Sequence, residues 1–279
     1  AALAAAPDPA ALIFVIGTEV PPPGGARADE HGDIAATTPA SAAATLAAHA
    51  QAFRAAGLGH VLPQIAGLVV QPGVEFSPMQ VHYLPQGRDP GLLAVLTDWP
   101  NLCLEAHSTD YQHPDVFPRL AALGFAFQKV GPALTLAYRE AVYALDSLRQ
   151  QAGWASTEPL FLTMEALMLT EPGYWQGHYR GDSGDLRVER HFGLADRIRY
   201  YWPNPVAQRA VAALLADFEG RSLPEPMLQQ AFPVALIDAA KSFGQITPRG
   251  LILATIQHAL APYFFAPSFA LTARSVDDD

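Results

Sequence analysis

Four apolar runs in the first half of the chain each stop at polar residues with glycine or proline, and an alanine-rich stretch of helical composition follows. The runs are Leu12 to Ile16 before Gly17-Thr18-Glu19-Val20-Pro21, Ile65 to Val70 before Gln71-Pro72-Gly73-Val74-Glu75, Leu102 to Ala106 before His107-Ser108-Thr109-Asp110-Tyr111, and Phe125 to Phe127 before Lys129-Val130-Gly131-Pro132. Continuous apolar runs of this length read as strands covered on both faces, and their alternation with helices predicts an α/β fold with a parallel sheet. The polar residues that follow the strands then share one end of that sheet, where such folds carry function. A closed (β/α)8 TIM barrel needs eight units and roughly 250 residues. Only four units precede the helical stretch at Leu134, and the first strand starts almost at residue 1 without an initiator Met. The expectation is the C-terminal part of such a barrel, with residues 1–152 supplying units 5–8 and the N-terminal half absent.

Thr38 followed by Pro39 predicts a helix over Ala40 to Ala56, capped by the Thr hydroxyl and stopped at Gly57. Val74 to Gly91 reads as a long loop. Pro132 opens a further helix, Ala133 to Gln151. Leu160 to Leu169, Leu194 to Tyr200, Pro205 to Phe218, Pro226 to Phe243 and Pro248 to Leu260 read as helices of an appendage over residues 153–270 that packs on the barrel. Residues 271–279, ending in three aspartates, read as a disordered tail.

Charge then narrows the partners. A net charge of -10 and a pI near 5.3 speak against nucleic acid or an anionic membrane surface, because either needs a basic face. No run reaches the ~20 apolar residues of a membrane span, and the opening lacks the basic flank of a signal peptide. Cys103 is the one cysteine, so no internal disulfide forms, and a cytoplasmic setting is expected.

The strongest candidate chemistry is Lys129-Val130-Gly131-Pro132. Gly131 permits close backbone approach, Pro132 presets a helical turn, free amides there suit a phosphate, and Lys129 adds charge. An ordinary strand-to-helix turn is the competing reading, and a Schiff base on Lys129 is not demanded. His107 stands where a strand meets the mouth, as acid–base group or metal ligand, with Ser108 and Thr109 beside it as ligand contacts. Zinc needs at least three protein ligands, and no histidine lies between Gly67 and Ser77, so the set is incomplete. Glu19 and Glu75 could supply carboxylates or merely cap loops. The run Asp196 to Pro203 joins a cap, two arginines and aromatic residues, suited to a phosphate or to packing. No P-loop, dinucleotide fingerprint, H-E-x-x-H or G-x-S-x-G occurs.

These motifs resemble a known family, the non-catalytic subunit of class II D-tagatose-1,6-bisphosphate aldolase. The resemblance rests on Val15 to Pro21 with Gly24-Gly25, Val69 to Phe76, Glu105 to Gln112 and Lys129 to Thr135. Glu171-Pro172, Tyr174-Trp175 and Asp196 to Pro203 continue it. It implies a class II aldolase-type barrel. In the related catalytic aldolases the strand holding His107 gives one zinc ligand and the preceding strand a second, which is unmatched here, and the usual Asn is replaced by Gly131. The resemblance thus implies no catalytic residue in this chain and a phosphate or ligand site at Lys129, Gly131, Ser108, Thr109 and Glu19. It also implies support of a catalytic aldolase subunit in galactitol or N-acetylgalactosamine breakdown. The alternatives are an independent sugar-phosphate enzyme, either a zinc aldolase or the tagatose-6-phosphate kinase of some labels, and a partial product whose open sheet edges self-associate.

Overall fold

The computed structural model describes residues 2–17, 34–244 and 246–265. In chain order the strands are β1 (Phe14–Gly17), β2 (Ile65–Val69), β3 (Glu75–Phe76), β4 (Val81–His82), β5 (Cys103–Ala106) and β6 (Phe125–Gln128). Four of them form an all-parallel sheet in the order β1-β2-β5-β6, one strand from each apolar run. The remaining two pair antiparallel as a hairpin, with Glu75 opposite His82. That hairpin lies in the stretch the sequence presents as loop, because two-residue strands are too short to show alternation.

The helices are α1 (Ala2–Ala5), α2 (Pro39–Ala55), α3 (Val116–Ala122), α4 (Pro132–Gln151), α5 (Leu160–Thr170), α6 (Ser183–Phe192), α7 (Pro205–Ala216), α8 (Glu225–Ala231), α9 (Val234–Lys241) and α10 (Pro248–Leu260). The Thr38 hydroxyl caps α2 by accepting from Ser41 N at 3.2 Å. Two expectations for the second half change. The helix expected over Leu194 to Tyr200 is a short 3-10 turn at Arg197–Tyr201, and the one expected from Pro226 is broken at Pro233 into α8 and α9. The polar helix α6 has no counterpart among the helices expected from the sequence. Its signal is a capping box, in which Asp182 accepts from the amides of Gly184 and Asp185.

One sheet face packs beneath helices. Leu68, Leu104 and Phe125 lie side by side across β2, β5 and β6 and join Leu46 of α2 and Leu120 of α3 in one buried cluster. The other face runs through Val15, Gly67 and Cys103 in one row and Val69, Glu105 and Phe127 in the next. A side chain at Gly67 would come within 3.1 Å of Val15 and 3.5 Å of Phe127, so these two close over it. Both stay open on the outer side, 45% and 38% exposed.

A second core holds the helical half together. Leu145 and Leu148 of α4 join Leu160, Met164, Ile198, Leu214, Ile237 and Leu251, and α4 packs closely along α10. Buried Arg149 on α4 donates to Asp146, Asp217, Thr157 and the Glu158 carbonyl, which satisfies a guanidinium that burial alone would make costly. Among the described residues, no helix is long and apolar enough to cross a membrane.

Candidate active site

β5 carries a carboxylate inside an apolar run. Glu105 projects from the face opposite Leu104, and only 3% of its side chain is exposed. Oε1 receives Lys129 Nζ at 2.7 Å from the end of β6 and faces His107 Nε2 at 2.7 Å from the end of β5. A carboxylate only accepts, so Nε2 holds the proton it donates to Glu105. Burial pushes the Glu105 carboxyl up, but hydrogen bonds and charge from Lys129 and His107 prevail and hold it below the usual carboxylate range. An ionised carboxylate, an imidazole and a cation, its side chain 59% exposed, thus meet at the C-terminal ends of adjacent parallel strands.

The loop after β5 fixes this arrangement. Ser108 and Tyr111 take positive φ values of 53° and 65°. Thr109 donates to the Lys129 carbonyl at 2.7 Å and also meets the Tyr263 hydroxyl. Asp110 Oδ1 accepts from the amides of Gly131 and Ala133, each at 2.9 Å. Tyr111 donates to the Leu194 carbonyl, and Gln112 spans to the hairpin by donating to the His82 carbonyl and accepting from Leu84 N.

The sequence candidates therefore fall into three groups. His107 and Lys129 come together on Glu105. Thr109 is buried, with its hydroxyl spent on backbone and Tyr263, while the Ser108 hydroxyl makes no hydrogen bond among the described residues. Gly131 opens α4 as expected, but its amide is not free: Asp110 occupies it together with that of Ala133. Glu19 lies outside the described residues. Glu75 is buried and accepts from Phe76 N. Asp196 does not cap a helix with its side chain. It lies buried in a left-handed backbone, with φ 44°, and accepts from Arg139 Nε at 2.7 Å.

Glu105 and Asp110 were not singled out from sequence as functional, although both stand in the quoted motif. A charged residue within an apolar strand was the available signal for Glu105. For Asp110 it was an acid following a strand end, which only the fold connects to α4.

The described residues do not make a zinc site. No group of three or more His, Cys, Asp or Glu side chains stands together among them. Gln71, at the end of β2, uses Oε1 to accept from Gly73 and Val74.

The fold and site define a parallel α/β protein with a carboxylate, an imidazole and an ammonium clustered at its strand ends. The particular family is shown by comparison: residues 1–268 match the model of the D-tagatose-1,6-bisphosphate aldolase subunit GatZ/KbaZ-like family, and the chain belongs to it. It is 43% identical over 261 residues to a D-tagatose 6-phosphate 4-epimerase of Agrobacterium fabrum, across 91% of this chain and 59% of that protein. It also resembles the crystal structure of a probable tagatose 6 phosphate kinase from Sinorhizobium meliloti 1021, with TM-score 0.80 and 37% identity over 90% of this chain and 62% of that one. The chain thus spans about three-fifths of the length of these relatives.

Proposed function

We propose that the chain forms the C-terminal part of a (β/α)8 barrel that acts on a ketohexose phosphate by aldol chemistry at the C3–C4 bond. The observation that carries this reading is the Glu105, His107 and Lys129 cluster at the ends of β5 and β6. Residues 1–152 supply four barrel units, residues 153–270 pack against them, and further strands cover Val15 and Phe127. Support for that completion comes from the exposure of those side chains and from the greater length of the relatives.

The aldolase of the family's description and the 4-epimerase among the relatives meet in one reaction class. C4 of a 2-ketose is not adjacent to the carbonyl, so its hydrogen is not acidic, and simple enolisation cannot invert it. Removing the C4 hydroxyl proton breaks C3–C4 and sends the electron pair into the C2 carbonyl, leaving an enediolate and an aldehyde. Release of the two pieces is aldolase chemistry, while turning the aldehyde over and re-forming the bond is 4-epimerisation. In this chain His107 Nδ1 takes the C4 hydroxyl proton, Glu105 holds the ring and stabilises the imidazolium, and Lys129 faces the developing oxyanion. A kinase reading finds no phosphate-binding loop in the sequence.

The second reading is the non-catalytic subunit that supports a catalytic class II aldolase partner in galactitol or N-acetylgalactosamine breakdown. It is favoured by Gln71, whose side chain is spent on its own turn where the related catalytic aldolases carry a zinc ligand. One experiment separates the two. The chain is incubated with D-tagatose 6-phosphate alone, and D-fructose 6-phosphate is assayed; it is then mixed with the catalytic aldolase subunit during warming. Product from the chain alone supports the first reading, and prolonged aldolase activity only in the mixture supports the second.

A further inference from the structure

Helices α4, α7 and α10 leave a cleft on the outer side of the second core. Val211 and Leu215 fall on one face of α7, and Arg249 and Ile252 on one face of α10, at the spacing that places helical residues above one another. With Tyr138 of α4 and Trp202 they bound about 500 Å³, a size within the ~300–1,000 Å³ of small-molecule sites. The walls are apolar, yet three polar groups beside them are donors that find no acceptor. The Trp202 indole Nε1 is buried without a hydrogen-bond partner among the described residues. The Tyr138 ring meets Trp202 edge-on at 5.2 Å, and its hydroxyl makes no hydrogen bond among these residues. Burial raises that phenol while the charge of Arg249 pulls it the other way, which places guanidinium and hydroxyl in one neighbourhood. Arg249 is exposed, with no carboxylate paired to it among the described residues.

We propose that this cleft is a second ligand site, sharing no residue with the Glu105 cluster, and that it takes a monocarboxylate with a compact apolar body. The carboxylate lies against Arg249 with the Tyr138 hydroxyl as a further donor, and a ring or short alkyl chain rests on Val211, Leu215 and Ile252. An organic ammonium meets an unpaired guanidinium and is repelled. A neutral molecule of the same shape forgoes the charge-assisted hydrogen bond, which is about twice as strong as a neutral one. Phosphate and sugar phosphates carry the right sign, but their polar surface loses water against the apolar walls without gaining partners there. The apolar body and the single carboxylate are therefore both required.

The test titrates the whole chain with benzoate, benzyl alcohol and inorganic phosphate, read by calorimetry and by the Trp202 indole N–H resonance, which Trp202→Phe assigns by its disappearance. Benzoate binds about tenfold more tightly than either of the other two and shifts that resonance. Arg249→Met, at an exposed position, lowers benzoate affinity about tenfold and leaves that for benzyl alcohol unchanged. Ala212→Leu fills the cleft, which Ala212 also lines, and abolishes both. Urea unfolding checks that the variants are folded, and Arg249→Met decides alone should Ala212→Leu not fold. Equal affinity for benzoate and benzyl alcohol, equal affinity for benzoate and phosphate, or unchanged benzoate affinity in Arg249→Met would each overturn the proposal. Sedimentation that varies with protein concentration, together with no benzoate binding, would show the cleft to be covered by a second copy of the chain and would overturn it as well.

Discussion

Thr109 donates its hydroxyl to the carbonyl of Lys129 at 2.7 Å, so a fully buried residue after β5 fixes the backbone of the cation that reaches Glu105 from the end of β6. Tyr263, just past α10, meets the same hydroxyl at 3.0 Å. Lys129 is thereby tied to the helical half of the chain as well as to the sheet.

Thr109→Val keeps the shape of the side chain and strands two polar partners. Leaving a buried polar group unsatisfied costs about 1–3 kcal/mol. Urea unfolding should show a loss in that range for Thr109→Val and a far smaller one for Thr109→Ser. Equal losses in the two variants would mean that packing, rather than the hydroxyl, matters here.

Lys129→Met and Glu105→Gln probe the charge cluster. The Glu105 carboxyl is held below its ordinary value of 4.5, so its ionised form stabilises the fold. That contribution is complete above the unfolded-state value and is lost as pH falls through the lower folded-state value. Lys129→Met should reduce the acid-induced loss below about pH 4.5. His107→Ala should reduce turnover by about 10²- to 10⁴-fold if His107 is the general base. Thermal melts across pH and steady-state rates check the two claims independently.

Arg139 and Asp196 join α4 to the turn after α6. Arg139 donates to Asp196 and to the carbonyls of His191 and Gly193, and both side chains are almost fully buried. Removing one member of a buried pair leaves the other charge uncompensated, at about 3–5 kcal/mol. Asp196→Ala should lower the urea midpoint by a corresponding amount, whereas Arg139→Met combined with Asp196→Asn should recover part of it. A single variant that melts like wild type would rule out this account.

The four apolar runs were legible because parallel strands covered by helices leave an unmistakable pattern, and each run contributes a strand within a residue or two of its expected limits. The same logic placed Lys129 and His107 at one end of the sheet. It could not place Asp110 on α4, because that contact spans 21 residues and depends on the left-handed turns at Ser108 and Tyr111. Nor could composition reveal that Arg139 seeks Asp196 across 57 residues. The charge pattern of α4 alone reads as a solvated face, and only the docking of the helical half makes that arginine internal. Glu105 was visible as the acid in an apolar strand, but its role required both partners in position.

His191 supplies the clearest pH prediction. It is fully buried, stacked on Phe161 with ring centroids 3.8 Å apart, with Nδ1 2.8 Å from the Tyr143 hydroxyl and Nε2 3.0 Å from Glu165. Arg190 grips the same carboxylate with two nitrogens. An ionised Glu165 only accepts, so Nε2 carries the proton and Nδ1 accepts from Tyr143, which specifies a neutral ring. Burial lowers the imidazole from 6.5 to about 4, outweighing the hydrogen bond and charge of Glu165 that pull the other way. As pH falls below 6.5 the unfolded chain takes up a proton that the folded chain refuses until about pH 4, so stability is lost across that interval. The full difference amounts to about 3 kcal/mol. His191→Gln should be less stable than wild type at pH 7, because the ring stacking is gone, yet lose less stability between pH 6.5 and 4. Urea midpoints measured at half-unit steps would show the two curves converging toward acid. Parallel curves would mean that the His191 imidazole titrates alike in the folded and the unfolded chain, and the lowering by burial would fail with them.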